Sequence, residues 1–146
     1  MSTLYEDDTY TWAMKQADAL RRRSANEIDW ENVAEEIESV GRTEARELES
    51  RFVVLLAHLL KWRFQADKRS ASWEITIKVQ RRQIAKHLER NPGLKSQRDE
   101  LFAGAYFEAV ANAALETTLD LGSFPETNPF TFAQAMDENF WPEGQG

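Results

Sequence analysis

The chain has 146 residues, carries 25 acidic against 18 basic side chains for a formal net charge of −7, and contains no cysteine. A chain of this length buries enough surface to fold without a metal or a disulfide. The missing cysteine excludes disulfides, thiolate metal ligands and cysteine nucleophiles, and the negative charge disfavours non-specific nucleic-acid binding by the surface as a whole.

No apolar run reaches the ~18–20 residues of a bilayer span. The longest, Phe52 to Leu60, is broken by His58. Residues 1–10 carry Glu6, Asp7 and Asp8 and lack the apolar centre of a signal peptide. The expectation is one helical domain over residues 1–146, cytoplasmic, with no membrane segment.

The first predicted helix runs from about Asp8 to Arg23. Asp7 or Asp8 caps it, Tyr10, Ala13, Met14, Ala17 and Leu20 form its apolar stripe, and Arg21, Arg22 and Arg23 suit the negative end of its dipole. The second starts at Asp29 as N-cap. Its stripe passes Trp30, Val33, Ala34 and Ile37, then Gly41, Ala45, Leu48, Phe52, Leu55, Leu59 and Trp62, in steps of three or four. As one helix it measures about 50 Å at 1.5 Å per residue, against a radius of gyration near 15 Å for a compact domain of this size. Three outcomes fit: a kink near Gly41, a helix that packs on a second copy, or a neighbouring helix approaching closely at Gly41. From Phe52 to Leu60 apolar residues encircle the helix, which places Phe52 to Trp62 at the centre of the fold.

The third helix starts after Ser70 or Ser72 and runs to about Arg90. Trp73, Ile77, Ile84 and Leu88 lie on one side, with Gln80 near them and in need of a hydrogen-bond partner. Lys78, Arg81, Arg82, Lys86 and Arg90 lie mostly on the other. The fourth follows Asn91 with Pro92 at its first position, or starts later from the Ser96–Asp99 pair. Phe102, Ala105, Tyr106, Ala109 and Ala113 form its inner face. The tail from Gly122 is loop, ended by a short helix over Phe132 to Met136 that Thr131 and Gln134 cap, and Phe140, Trp141 and Pro142 anchor the terminus. No segment alternates apolar and polar residues long enough to demand a strand. The fold class is all-α: an irregular four-helix bundle with a long central helix and a short C-terminal helix.

Charge is distributed in blocks. Residues 27–50 hold nine acids against two bases, residues 61–98 eleven bases against three acids, and residues 99–146 nine acids and no base. Such blocks neutralise one another across packed helices, or leave a basic face for phosphates or an acidic partner. That face is Lys78, Arg81, Arg82, Lys86 and Arg90. His58, in the central apolar helix, is the candidate functional histidine; the plainer reading is a core histidine with a satisfied hydrogen bond. His87, among bases, is expected to be solvated. Neither has a Glu three residues before it, so the Glu-x-x-His pair of di-metal bundles is missing. Asp29, Glu35, Glu36 and Glu38 are the residues for an oxygen-only cation site. No glycine-rich phosphate loop, serine elbow or dinucleotide fingerprint is present.

Several runs resemble the bacterial family termed domain of unknown function 29. They are Asp29-Trp30-Glu31-Asn32, Ala34 through Arg42, Leu55-Leu56-Ala57-His58-Leu59-Leu60-Lys61-Trp62, Arg69-Ser70-Ala71-Ser72-Trp73, Gln80-Arg81-Arg82, Glu116-Thr117, Phe124-Pro125 and Phe140-Trp141-Pro142. The resemblance covers Leu4 to Pro142. It implies a compact helical domain of bacterial origin and no activity. Family members often carry Cys-Pro where this chain has Asn128-Pro129.

The functional expectation is a non-catalytic protein-interaction module, with a homodimer or another protein as partner and with no catalytic set, metal or cofactor. Two alternatives stand beside it. One is a nucleic-acid accessory protein using the basic face; the other is an enzyme or metal-binding protein centred on His58 or the acidic cluster.

Overall fold

The computed structural model describes residues 3–143. These form α1 (Leu4–Asp7), α2 (Thr9–Arg22), α3 (Trp30–Phe64), α4 (Ala71–Arg90), α5 (Arg98–Thr117) and α6 (Phe132–Met136), with short 3-10 turns between them. No strand occurs among the described residues. The all-α expectation therefore holds, with four main helices, a long central one and a short last one. The chain groups into two compact units, Met1–Thr43 and Glu44–Gly146, and α3 contributes to both.

Local chemistry sets the helix ends. The Asp8 carboxylate accepts from Thr11 N at 3.0 Å and starts α2. The Ser70 hydroxyl accepts from Trp73 N at 3.2 Å and starts α4. At α6 both capping-box bonds are present, Gln134 N to Thr131 Oγ1 at 3.1 Å and Thr131 N to Gln134 Oε1 at 3.0 Å. The start of α5 is the later of the two expected. Residues Pro92–Ser96 close as a 3-10 turn over buried Leu94, and Ser96 bonds Gly93 O instead of capping the helix. The four-residue α1, capped by Thr3, is not foreshadowed by any periodicity.

Helix α3 runs through Gly41 without a break in its helical backbone. A Cβ built at Gly41 meets nothing within 4 Å, so no neighbour approaches closely there. The expected ridge divides in two. Leu48, Phe52, Leu55, Leu59 and the residues around them are buried, whereas Trp30, Ile37 and Val40 are 60%, 66% and 64% exposed.

In the second unit Phe52 is the hub. It meets Phe102 edge-on at 5.3 Å and Phe132 at 5.9 Å. Ile77 and Ile84 of α4 are fully buried, as are Ala105, Ala109 and Ala113 of α5. The small side chains at every fourth position let α5 lie close to its neighbours. Gln80 finds its partner in Arg51, whose Nη1 donates to Oε1 at 3.4 Å. The tail is anchored as expected: Trp141 stacks tilted on Trp62 at 4.7 Å, and Phe140 meets Phe130 at 6.0 Å.

In the first unit the buried face of α2 is not the expected stripe, of which Ala13, Ala17 and Leu20 only border a groove beside α3. Trp12 and Ala19 are buried, and Tyr10, Met14 and Leu20 are exposed. A hydrogen bond decides the orientation. Trp12 Nε1 donates to the Asp29 carboxylate at 3.0 Å, and the ring packs edge-on against Tyr5 at 4.7 Å. A buried indole N–H needs such an acceptor.

Candidate functional site

The first unit leaves an apolar groove between α2 and the start of α3. Trp12, Ala17 and Leu20 line one side of it, and Val33, Ile37 and Val40 the other. Helical spacing explains the α3 wall, because residues 33, 37 and 40 recur at steps of four and three. Of α2 only Trp12 and Ala19 are buried. Two amphipathic helices here meet over a narrow seam and keep most of their apolar side chains in water.

The acids proposed for a cation are occupied. Asp29 accepts from Asn32 Nδ2 at 2.8 Å as well as from Trp12, and these hydrogen bonds hold its carboxyl below the usual range. Glu35 and Glu38 pair with Arg42 at 2.8 and 3.5 Å. Glu36 accepts from the Tyr5 hydroxyl, which pushes the tyrosine pKa up.

His58 is half-buried, and its Nδ1–H donates to Val54 O at 2.8 Å. That bond leaves Nε2 as the acceptor, 3.4 Å from Lys61 Nζ. Lys61 is 2% exposed, pairs with Glu116 and lies 5.1 Å from the centroid of Trp73. The chain of contacts Val54–His58–Lys61–Glu116 joins α3 to α5 and satisfies each member, as expected of a core histidine. Sequence reasoning missed Lys61, although it directly follows the encircling apolar run.

Burial is the main cause that lowers the His58 pKa below 6.5, followed by the backbone bond, which raises it, and by Lys61, which lowers it. With the folded value below the unfolded one, the unfolded chain takes up the proton first. This contribution to stability is present above pH ~6.5 and is lost as pH falls towards the folded value. Urea midpoints at pH 7.5 and 5.5 are therefore expected to fall further for the wild type than for His58→Gln. Equal falls remove the assignment.

His87 is the clear correction. It is buried, with Nε2 2.8 Å from Glu44 O and Nδ1 2.8 Å from the Glu47 carboxylate. Glu44, Glu47 and His87 offer donor atoms within 4.8 Å of one another. The contacts nevertheless sit on opposite ring nitrogens, and Arg51 Nη2 lies 3.4 Å from Glu47. The arrangement is a clasp between α3 and α4. A cation would have to break it beside a guanidinium.

The five residues of the predicted basic face also separate. Arg81 is buried: Nε donates to Ala135 O and Nη2 to Phe140 O, each at 2.7 Å, and its guanidinium carbon lies 5.4 Å from the Trp141 ring centroid. The sequence held the signal, since Arg81 falls on the stripe of Ile77, Ile84 and Leu88. Lys78 pairs with Glu74 at 3.2 Å. Arg82, Lys86 and Arg90 are exposed. Lys78, Arg81 and Arg82 share one cavity, and Lys86 and Arg90 continue along α4 away from it.

A family model described as "Domain of unknown function DUF29" matches residues 4–141. No curated protein and no solved structure matches the chain. Among the described residues no helix is long and apolar enough to cross a membrane.

Proposed function

We propose that this chain, which belongs to the family described as Domain of unknown function DUF29, is a non-catalytic interaction module that pairs with a second copy of itself through the α2–α3 groove. The observation that carries this reading is the exposure of Leu20, Ile37 and Val40 along that groove. Contiguous apolar side chains in water mark a surface that is covered in use. A unit of some forty residues is too small to enclose a core alone. Two helices joined by a short turn are half of a four-helix bundle, and a second identical pair completes it with every contact made twice.

Charge sets the conditions. Residues 1–43 carry ten acidic and five basic side chains, so two such surfaces repel at low salt and screening relieves the repulsion. Light scattering on the wild type is expected to show a dimer that tightens as salt rises to about 0.3 M. Ile37→Glu is expected to weaken it by about 100-fold or more, because a carboxylate enters the desolvated centre of the contact. A strict monomer at about 100 µM and 0.3 M salt overturns the reading. So does a dimer that Ile37→Glu leaves intact.

A further inference from the structure

We propose that the cavity of about 270 Å³ lined by Lys78, Arg81, Arg82 and Asn139 binds a phosphate dianion, free or as the phosphoryl group of a small phosphomonoester. Residues 78, 81 and 82 lie at spacings of three and four on α4, so one turn presents three cations. Asn139, in the turn that follows α6, brings an amide that can donate.

Arg81 is what makes this more than a wet basic surface. Its side chain is 2% exposed, Nε and Nη2 are spent on the two carbonyls of the tail, and Nη1 is a buried nitrogen with no hydrogen-bond partner. Among the described residues neither Arg81 nor Arg82 takes part in an ion pair. A buried cation without a counter-charge is costly. Asp137 and Glu138 act on it through space, but burial outweighs both. An anion in the cavity supplies the missing charge, and arginine is the side chain best shaped for a phosphate.

Charge and size point to the same ligand. Three cations line the cavity with one carboxylate, that of Glu138, and one of the three, Lys78, also pairs with Glu74 outside it. Arg81 and Arg82 outnumber the lining carboxylate, so the cavity favours an anion. The volume lies below the ~300–1,000 Å³ of sites for drug-sized ligands, so the phosphoryl group is held and its substituent remains outside.

The test is thermal unfolding and titration calorimetry of the full chain in inorganic phosphate, with sodium chloride at equal ionic strength as control. Phosphate is expected to raise the midpoint saturably. Lys78→Ala and Arg82→Ala alter exposed side chains; each is expected to weaken binding about fivefold or more with the midpoint in chloride unchanged. Glu138→Gln removes the competing carboxylate and is expected to tighten binding severalfold. Methyl phosphate separates the two sources: binding equal to that of inorganic phosphate assigns the ester, and its loss assigns the free ion. Equal midpoints in phosphate and chloride overturn the proposal. It is equally overturned if the shift survives in the Lys78→Ala/Arg82→Ala double variant. Neither result bears on the pairing of α2 and α3, which light scattering reads separately.

Discussion

Phe52→Ala is expected to cost about 3–5 kcal/mol of folding stability, among the largest effects of any single truncation in this chain. The side chain is fully buried, and its ring is met edge-on by Phe102 and Phe132. Those two rings also meet each other at 5.8 Å, so three aromatic side chains from α3, α5 and α6 share one contact. Removing the middle ring opens a cavity among rigid neighbours that cannot collapse into it, and cavity cost grows with the space left unfilled. Edge-to-face pairs add ~0.5–1.5 kcal/mol each beyond area burial. Phe52→Leu retains most of the volume and is expected to lose well under half as much. Urea unfolding followed by tryptophan fluorescence measures both. A loss under 2 kcal/mol for Phe52→Ala removes Phe52 from the centre of the core.

The second large effect lies at Lys61 and Glu116, and it is unequal between the partners. Lys61 is 2% exposed, whereas the Glu116 side chain is 55% exposed. Glu116→Ala strands a buried ammonium with only the His58 imidazole and the Trp73 ring to face. Stranding a charge in this way costs about 3–5 kcal/mol when both partners are deeply buried, and about 2–3 kcal/mol is expected where one partner already touches water. Lys61→Met fills the same space without a charge and leaves Glu116 free to hydrate. It is expected to be nearly neutral, within about 1 kcal/mol. The double variant is then expected to be more stable than Glu116→Ala alone. If Lys61→Met proves the more damaging single change, the pair supplies net attraction and not merely compensation.

Sequence read the ends of helices better than their orientation. Asp8, Ser70 and Thr131 act on backbone N–H groups within three residues, so their pattern is complete in the local sequence. The direction α2 faces depends on Asp29 accepting from Trp12 across seventeen residues. Tyr10, Met14 and Leu20 form an equally regular stripe, and periodicity alone does not rank two stripes on one helix. Along α3 the pattern correctly marks apolar positions from Trp30 to Trp62. It does not say which of them another element covers, and the structure covers those from Leu48 onward.

The same distinction runs through the candidate sites. His87 lies among bases in the sequence, but its partners are Glu44 and Glu47, some forty residues away. Charge alone groups Arg81 with Lys78 and Arg82, although its place between Ile77 and Ile84 sets it on the inward side. What could not be read was its use, because the carbonyls of Ala135 and Phe140 reach it only through the fold of the tail.

The continuity of α3 through Gly41 gives a single helix two degrees of local permanence. From Phe52 to Lys61 no residue of α3 is exposed, so the amides there are expected to open only with the unit they belong to. Its first turns are held along one edge, by the bonds of Asp29 to Trp12 and of Glu36 to Tyr5, and leave Trp30, Ile37 and Val40 in water, so fraying from Trp30 is expected to cost less than opening around Phe52. In the proposed pairing, cover on that edge would lengthen the ordered part of the helix, so the tightness of pairing would also read as protection of the amides near Trp30.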